Sequence, residues 1–133
     1  MISMIHKPVS IIVLSSIVLS SCCKEGTGGD AALVIYLKHH APVIPNHVSY
    51  PDTVYVKFNA KDSPGSLGNY DAFFVGVGRE DHVLVSGLKC GDYYLFGTAI
   101  DSSGPYRVTG GMHIKIRRKD RKKEIVTNLA VTE

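Results

Sequence analysis

The sequence predicts an all-β fold, a seven- to eight-stranded antiparallel β-sandwich. Short runs rich in β-branched and aromatic residues recur along the chain, separated by clusters of Gly, Pro, Asn and Asp. The clearest of these runs alternates apolar and polar residues with a period of two, the signature of a strand with one buried face. After the N-terminal stretch no segment carries a convincing helical pattern.

The elements follow in order. Ala31–Lys38 is nearly all apolar and reads as the first strand. In Thr53–Asn59, Val54, Val56 and Phe58 face one way while Tyr55, Lys57 and Asn59 face the other. Tyr70–Val77 is apolar on both faces, which predicts a central strand. His82–Ser86 is short, and Gly87–Gly91 is expected to turn it into Asp92–Ile100. Tyr106–Thr109 reads as a weak strand between Gly104-Pro105 and Gly110-Gly111. Met112, Ile114 and Ile116 alternate with His113, Lys115 and Arg117, and Ile125–Thr132 closes the domain. The basic run between the last two is expected at a hairpin tip.

The first two dozen residues differ from everything after them. Met1–Lys7 carries a firm positive charge at Lys7 and no acid, and Val9–Leu19 is apolar or small. That is the layout of a signal peptide. A spanning helix needs an apolar run of about 18 or more, whereas this one is broken by Ser10, Ser15 and Ser16. Leu19-Ser20-Ser21-Cys22 then resembles the lipobox of bacterial lipoproteins, an aliphatic residue and two small ones before the cysteine. The resemblance implies cleavage before Cys22, diacylglycerol on its thiol, and an acyl chain such as palmitate on its new amino group. Buried methylenes contribute about 0.8 kcal/mol each, so two or more chains anchor stably. The expected organisation is a signal peptide over 1–21, the lipidated cysteine and a flexible Gly-rich tether over 22–30, and a β-sandwich domain over 31–133. The expected location is the cell envelope, with the outer membrane preferred.

With 15 Lys and Arg against 12 Asp and Glu, the chain has a formal net charge of +3, too little to argue for a nucleic-acid partner. It has three cysteines, Cys22, Cys23 and Cys90. An oxidising envelope permits a Cys23–Cys90 bridge. Because Cys23 falls in the Gly-rich tether, the expectation is instead a free, partly buried Cys90.

Gly87-Leu88-Lys89-Cys90-Gly91-Asp92-Tyr93-Tyr94-Leu95 resembles the Gly-Leu-x-x-Gly-x-Tyr-x-Leu stretch of carboxypeptidase-regulatory-like, transthyretin-like β-sandwich domains. The resemblance implies that the Leu plugs the end of the core, the Gly turns the chain, and the Tyr and Leu point inward. Ile44-Pro45-Asn46 followed by Thr53-Val54-Tyr55-Val56 is similar to the early strand of that family. Cys90 stands where those domains commonly have proline, and the Pro42–Asp52 linker is longer than theirs. Lys38-His39-His40 and Gly91-Asp92-Tyr93-Tyr94 also resemble segments of small Bacteroidetes-type lipoproteins. Resembled domains of this kind commonly serve as accessory or assembly modules, and a shared fold does not by itself assign a function.

Five histidines follow the anchor, and neutral imidazole is a common Zn or Cu ligand. A metal site would draw on His39 or His40 with His47 and His82. Neighbouring residues on a strand point to opposite faces, so an extended His39-His40 pair cannot hold one ion. No His-x-His or Cys-x-x-Cys spacing is present. Surface or loop-packing histidines are the plainer expectation. Arg117, Arg118, Lys119, Arg121, Lys122 and Lys123 could hold an anionic surface such as phospholipid headgroups or acidic polysaccharide. Alternatively they are a solvated tip that discourages edge-to-edge association.

No catalytic residue is expected. Pro64 occupies the first glycine position of what would be a Gly-x-Ser-x-Gly elbow, and Gly76-Val77-Gly78 lacks the following helix that a phosphate loop requires. Tyr55 on its outward face, with Tyr50, Tyr70 and Tyr106 near strand ends, suits contact with a glycan or an envelope protein, or the rim of a sandwich core. The reading is a lipid-anchored, non-catalytic binding or structural module with no cofactor beyond its acyl chains. A metal-binding lipoprotein is the alternative.

Overall fold

A computed structural model of the protein describes residues 23–103 and 106–133; the stretch expected to be a signal peptide, 1–21, and Cys22 lie outside these residues. Among the described residues, seven strands form two sheets: β1 (Thr27–His39), β2 (Thr53–Phe58), β3 (Ala72–Val75), β4 (Val83–Leu88), β5 (Gly91–Asp101), β6 (Tyr106–Ile116) and β7 (Glu124–Val131). The three-stranded sheet runs β4-β1-β7 and the four-stranded sheet β3-β2-β5-β6. Every described pairing is antiparallel except β1 with β7, which run parallel from Ala32↔Glu124 to His39↔Val131. The predicted β-sandwich is therefore the fold.

The alternation read from the sequence places the core between the sheets. Val54 and Val56 of β2 and Tyr93, Leu95 and Ala99 of β5 face Leu33, Ile35 and Leu37 of β1, Val83 and Val85 of β4, and Leu129 and Val131 of β7. Leu88 closes one end with no exposed surface. The inward Leu88, Tyr93 and Leu95, and Gly91 with φ 135° at the turn between them, match the roles expected of that stretch.

Four local expectations are corrected. Tyr70–Val77 is not central: β3 is the edge of its sheet, with Phe73 65 % exposed. Apolar residues on both faces suggested double burial, but one of those faces is open to solvent. Gly110-Gly111 does not interrupt a strand, because β6 passes straight through it. Both glycines serve close approach: a Cβ on Gly110 would collide with the Ala130 carbonyl, and one on Gly111 with the Tyr94 hydroxyl. The basic run is not a hairpin tip either. It crosses from β6, the edge of one sheet, to β7, the edge of the other, through a 3-10 turn at Arg118–Asp120.

The fourth correction concerns the tether. β1 begins at Thr27, and both Thr27 and Ala31 pair with Leu88, so Gly28-Gly29-Asp30 is a bulge in the sheet. Gly29 has to be glycine there, since a Cβ would strike the Leu88 carbonyl. The ordered domain thus starts ahead of residue 31.

Strand directions give the sandwich two distinct ends. One gathers the starts of β1, β5 and β7 and the finishes of β2, β4 and β6. The other gathers the finishes of β1, β5 and β7 and the starts of β2 and β6.

Candidate functional site

At the first end the N-terminal segment is clamped. Cys23 is disulfide-bonded to Cys90, with 5.0 Å between their Cα atoms. The expected free Cys90 is therefore corrected, and its neighbours supply the reason. The Lys89 amide donates to the Gly26 carbonyl at 3.0 Å, and the Asp92 amide donates to Glu25 Oε1 at 3.0 Å. The buried Tyr93 hydroxyl accepts from the Gly26 amide at 3.0 Å and donates to the Lys89 carbonyl at 2.7 Å. Burial raises the Tyr93 pKa, keeping the donor in place. Residues 23–26 behave as part of the domain, not as a linker.

The basic run lies at this same end. Arg117, Arg118, Lys119, Arg121, Lys122 and Lys123 are all exposed. Arg117 Nε and Lys123 Nζ meet the two oxygens of Asp120 at 3.3 and 3.2 Å, and Arg121 donates to the Arg118 carbonyl. The Lys123 ammonium, then burial in the opposite sense, act on Asp120, with a net lowering of its pKa. Arg121 and Lys122 join Lys24, Lys89, Asp30, Gly29 and the disulfide around a pocket of about 340 Å³.

The histidines do not converge. His39, at the far end of β1, holds Asp101 Oδ2 at 2.6 Å through Nδ1. That contact and the Ser103 amide hold the Asp101 pKa down at about 2. His40 does not continue the strand: its φ of 61° swings the ring back onto His39, with centroids 4.2 Å apart and planes 29° from parallel. The extended geometry expected for the pair is thus corrected, although stacking does not aim two nitrogens at one point. His82 pairs with Asp81 at 2.9 Å and Glu80 at 3.7 Å, and His113 with Asp92 at 2.8 Å. His47 has a buried Nε2 without a hydrogen-bond partner. Among the described residues no group of three or more His, Cys, Asp or Glu is placed to hold a metal ion.

The outer face of the four-stranded sheet carries an aromatic row. Register sets Phe73, Tyr55 and Phe96 directly opposite one another on β3, β2 and β5. Their centroids lie 6.1 Å (Tyr55 to Phe73) and 6.4 Å (Tyr55 to Phe96) apart. Tyr70 leans over from the preceding loop, 5.9 Å from Tyr55 and 6.1 Å from Phe96. Gly111 continues the row on β6 and leaves room for the Tyr94 hydroxyl. The adjacent row is polar beyond Val75 at its β3 edge: Thr53 is opposite Thr98, and Arg107 donates to Thr98 Oγ1 at 3.1 Å. Beside it opens a cleft of about 260 Å³ lined by Ser49, Tyr50, Thr53, Tyr55, Thr98 and Arg107.

The loop that borders this cleft is held by a residue the sequence reading noted without assigning it a role. Buried Asn46 donates from Nδ2 to the Glu80 and His82 carbonyls, both at 2.9 Å, and accepts the Asp52 amide at 2.7 Å. The Asp52 side chain is fully buried, and neither carboxylate oxygen has a hydrogen-bond partner. Burial pushes its pKa up to about 7. A Pro-Asn pair in a long linker was the available signal for Asn46; nothing local marked Asp52 as buried.

No protein-family model matches the chain, and no curated protein or solved structure is significantly similar to it.

Proposed function

We propose that this protein is a lipid-anchored, non-catalytic binding or structural module of a bacterial cell envelope, held to the outer membrane by acyl chains on Cys22. The lipobox-like Leu19-Ser20-Ser21-Cys22 supports the anchor, and the likeness to transthyretin-like accessory domains supports the modular role. The observation that carries the binding role is the row Phe73–Tyr55–Phe96 on an open sheet face, next to a polar row and a cleft.

The exposed Phe73 ring and the half-buried Tyr55 and Phe96 rings, beside hydroxyl and guanidinium groups, suit an envelope glycan. The C–H faces of a sugar pack on the rings, and its hydroxyls find Thr53, Thr98, Arg107 and Tyr50. Phe73 is costly to expose at a sheet edge unless something covers it. An array of envelope polysaccharides and peptidoglycan fragments tests the face. Binding by the wild type that falls about tenfold in Tyr55→Ala/Phe73→Ala supports a glycan ligand. Equal signals from both proteins would point away from this face. Incorporation of labelled palmitate, abolished by Cys22→Ala, tests the anchor separately.

A further inference from the structure

We infer that the Cys23–Cys90 end of the sandwich seats directly on an anionic membrane surface, with a phospholipid phosphate received between Lys24, Lys89, Arg121 and Lys122. The inference rests on the reading of Cys22 as the lipidated residue.

Two independent observations converge on it. The first is mechanical. Consecutive Cα atoms are about 3.8 Å apart, and Cys23 is bonded to Cys90, so the acyl-bearing residue would lie one residue from the body of the domain. Glu25 and Gly26 are pinned by Asp92, Lys89 and Tyr93, which leaves no slack for the domain to stand off the bilayer. The second is electrostatic. The pocket at this end is lined by four cationic side chains against one carboxylate, Asp30. Among the described residues Lys24, Lys89 and Lys122 form no ion pair, and Arg118 and Lys119 add exposed charge alongside. Each basic residue near an anionic leaflet strengthens attachment by about fivefold, less as salt screens it. A lipid anchor and a basic patch are the two signals that together fix a protein to a membrane. Here both lie on one end, while the cleft opens toward the far end and the aromatic row crosses the middle of its sheet, at the midpoint of β5.

The full chain, purified from membranes in detergent, is reconstituted into vesicles of phosphatidylcholine alone or of phosphatidylcholine with phosphatidylglycerol. Its lysines are then acetylated and quantified by mass spectrometry relative to Lys38, which lies at the far end of β1. Labelling of Lys24, Lys89 and Lys122 is expected to fall about tenfold only with phosphatidylglycerol and to recover at high salt. The exposed pair Arg121→Glu/Lys122→Glu is expected to abolish that protection at Lys24 and Lys89. Equal labelling in both kinds of vesicle would overturn the inference. So would equal protection by inorganic phosphate in detergent, which would make this a site for a free anion. Palmitate incorporated with the lysines unprotected would overturn the seat and leave the anchor. No palmitate with the lysines still protected would remove the anchor and leave the seat.

Discussion

The two ends of the sandwich solve opposite problems with the same strands. Where β5 begins, the polar groups that meet the N-terminal segment are satisfied: Tyr93 uses its hydroxyl twice, Glu25 caps an amide, and a disulfide closes the seam. Where β5 finishes, the chain leaves polar atoms buried without partners in Asp52 and His47, breaks β1 with a left-handed His40, and opens a cleft. The clamped end concentrates stabilising contacts, whereas the open end carries their cost. Local inconsistency of that kind tends to gather where a protein meets its ligand.

The largest effect expected from breaking this contrast comes at the clamped end. Cys23→Ser/Cys90→Ser removes a cross-link across a separation of 67 residues. It is expected to lose about 3 kcal/mol in urea unfolding, with amide protection falling first around Gly26 and Lys89. A loss under about 0.5 kcal/mol would mean that the hydrogen bonds alone hold the segment.

Next comes the pin of the open end. Asn46→Ala orphans the Asp52 amide and takes a donor from the Glu80 and His82 carbonyls. It is expected to cost about 1–3 kcal/mol and to raise hydrogen exchange across residues 46–52 while leaving Lys89 protected. Uniform loss of protection at both ends would contradict the idea that they open independently.

The smallest effect sharpens the comparison through pH. Asp52 titrates near 7 in the folded protein against an ordinary 3.8, so between those values the folded state binds the extra proton. The stability of the neutral acid is fully present below about pH 4 and is lost as pH rises to about 7. Asp101 runs the other way: its pKa of about 2 makes its contribution present above about 4, lost only as pH falls through 2. Asp52→Asn is therefore expected to match the wild type near pH 4 and to exceed it by about 1–2 kcal/mol at pH 8. Thermal unfolding at the two pH values reads the difference, and the same gain at both would show that ionisation is not the cause.

The sequence carried the sandwich because alternation is local: Val54, Val56, Tyr93 and Leu95 announce an inner face without reference to anything distant. What it did not carry depends on contacts far along the chain. Gly28-Gly29 looks like a linker until Leu88 comes against it, and Gly110-Gly111 like a turn until Ala130 and Tyr94 approach. Cys23, Glu25 and Gly26 looked tethered because their partners, Cys90, Asp92 and Tyr93, lie more than sixty residues away. Of the candidate site, Tyr55 was legible from its strand's period. Phe73 and Phe96 were not, since only the register of three strands sets them in its row. The histidines invited a metal reading by number alone, and each of His39, His82 and His113 has a carboxylate of its own.

The central claim is that the anchor and the clamp are consecutive residues, so that the domain is fixed to the membrane without a tether. Tryptic digestion under non-reducing conditions, on chain extracted from membranes, tests it in one mass spectrum. The account predicts Cys22-Cys23-Lys24 carrying acyl chains on Cys22 and joined through Cys23 to the peptide that begins at Cys90. An N-terminal peptide free of acyl chains, or one whose Cys23 thiol is unpaired, would contradict it.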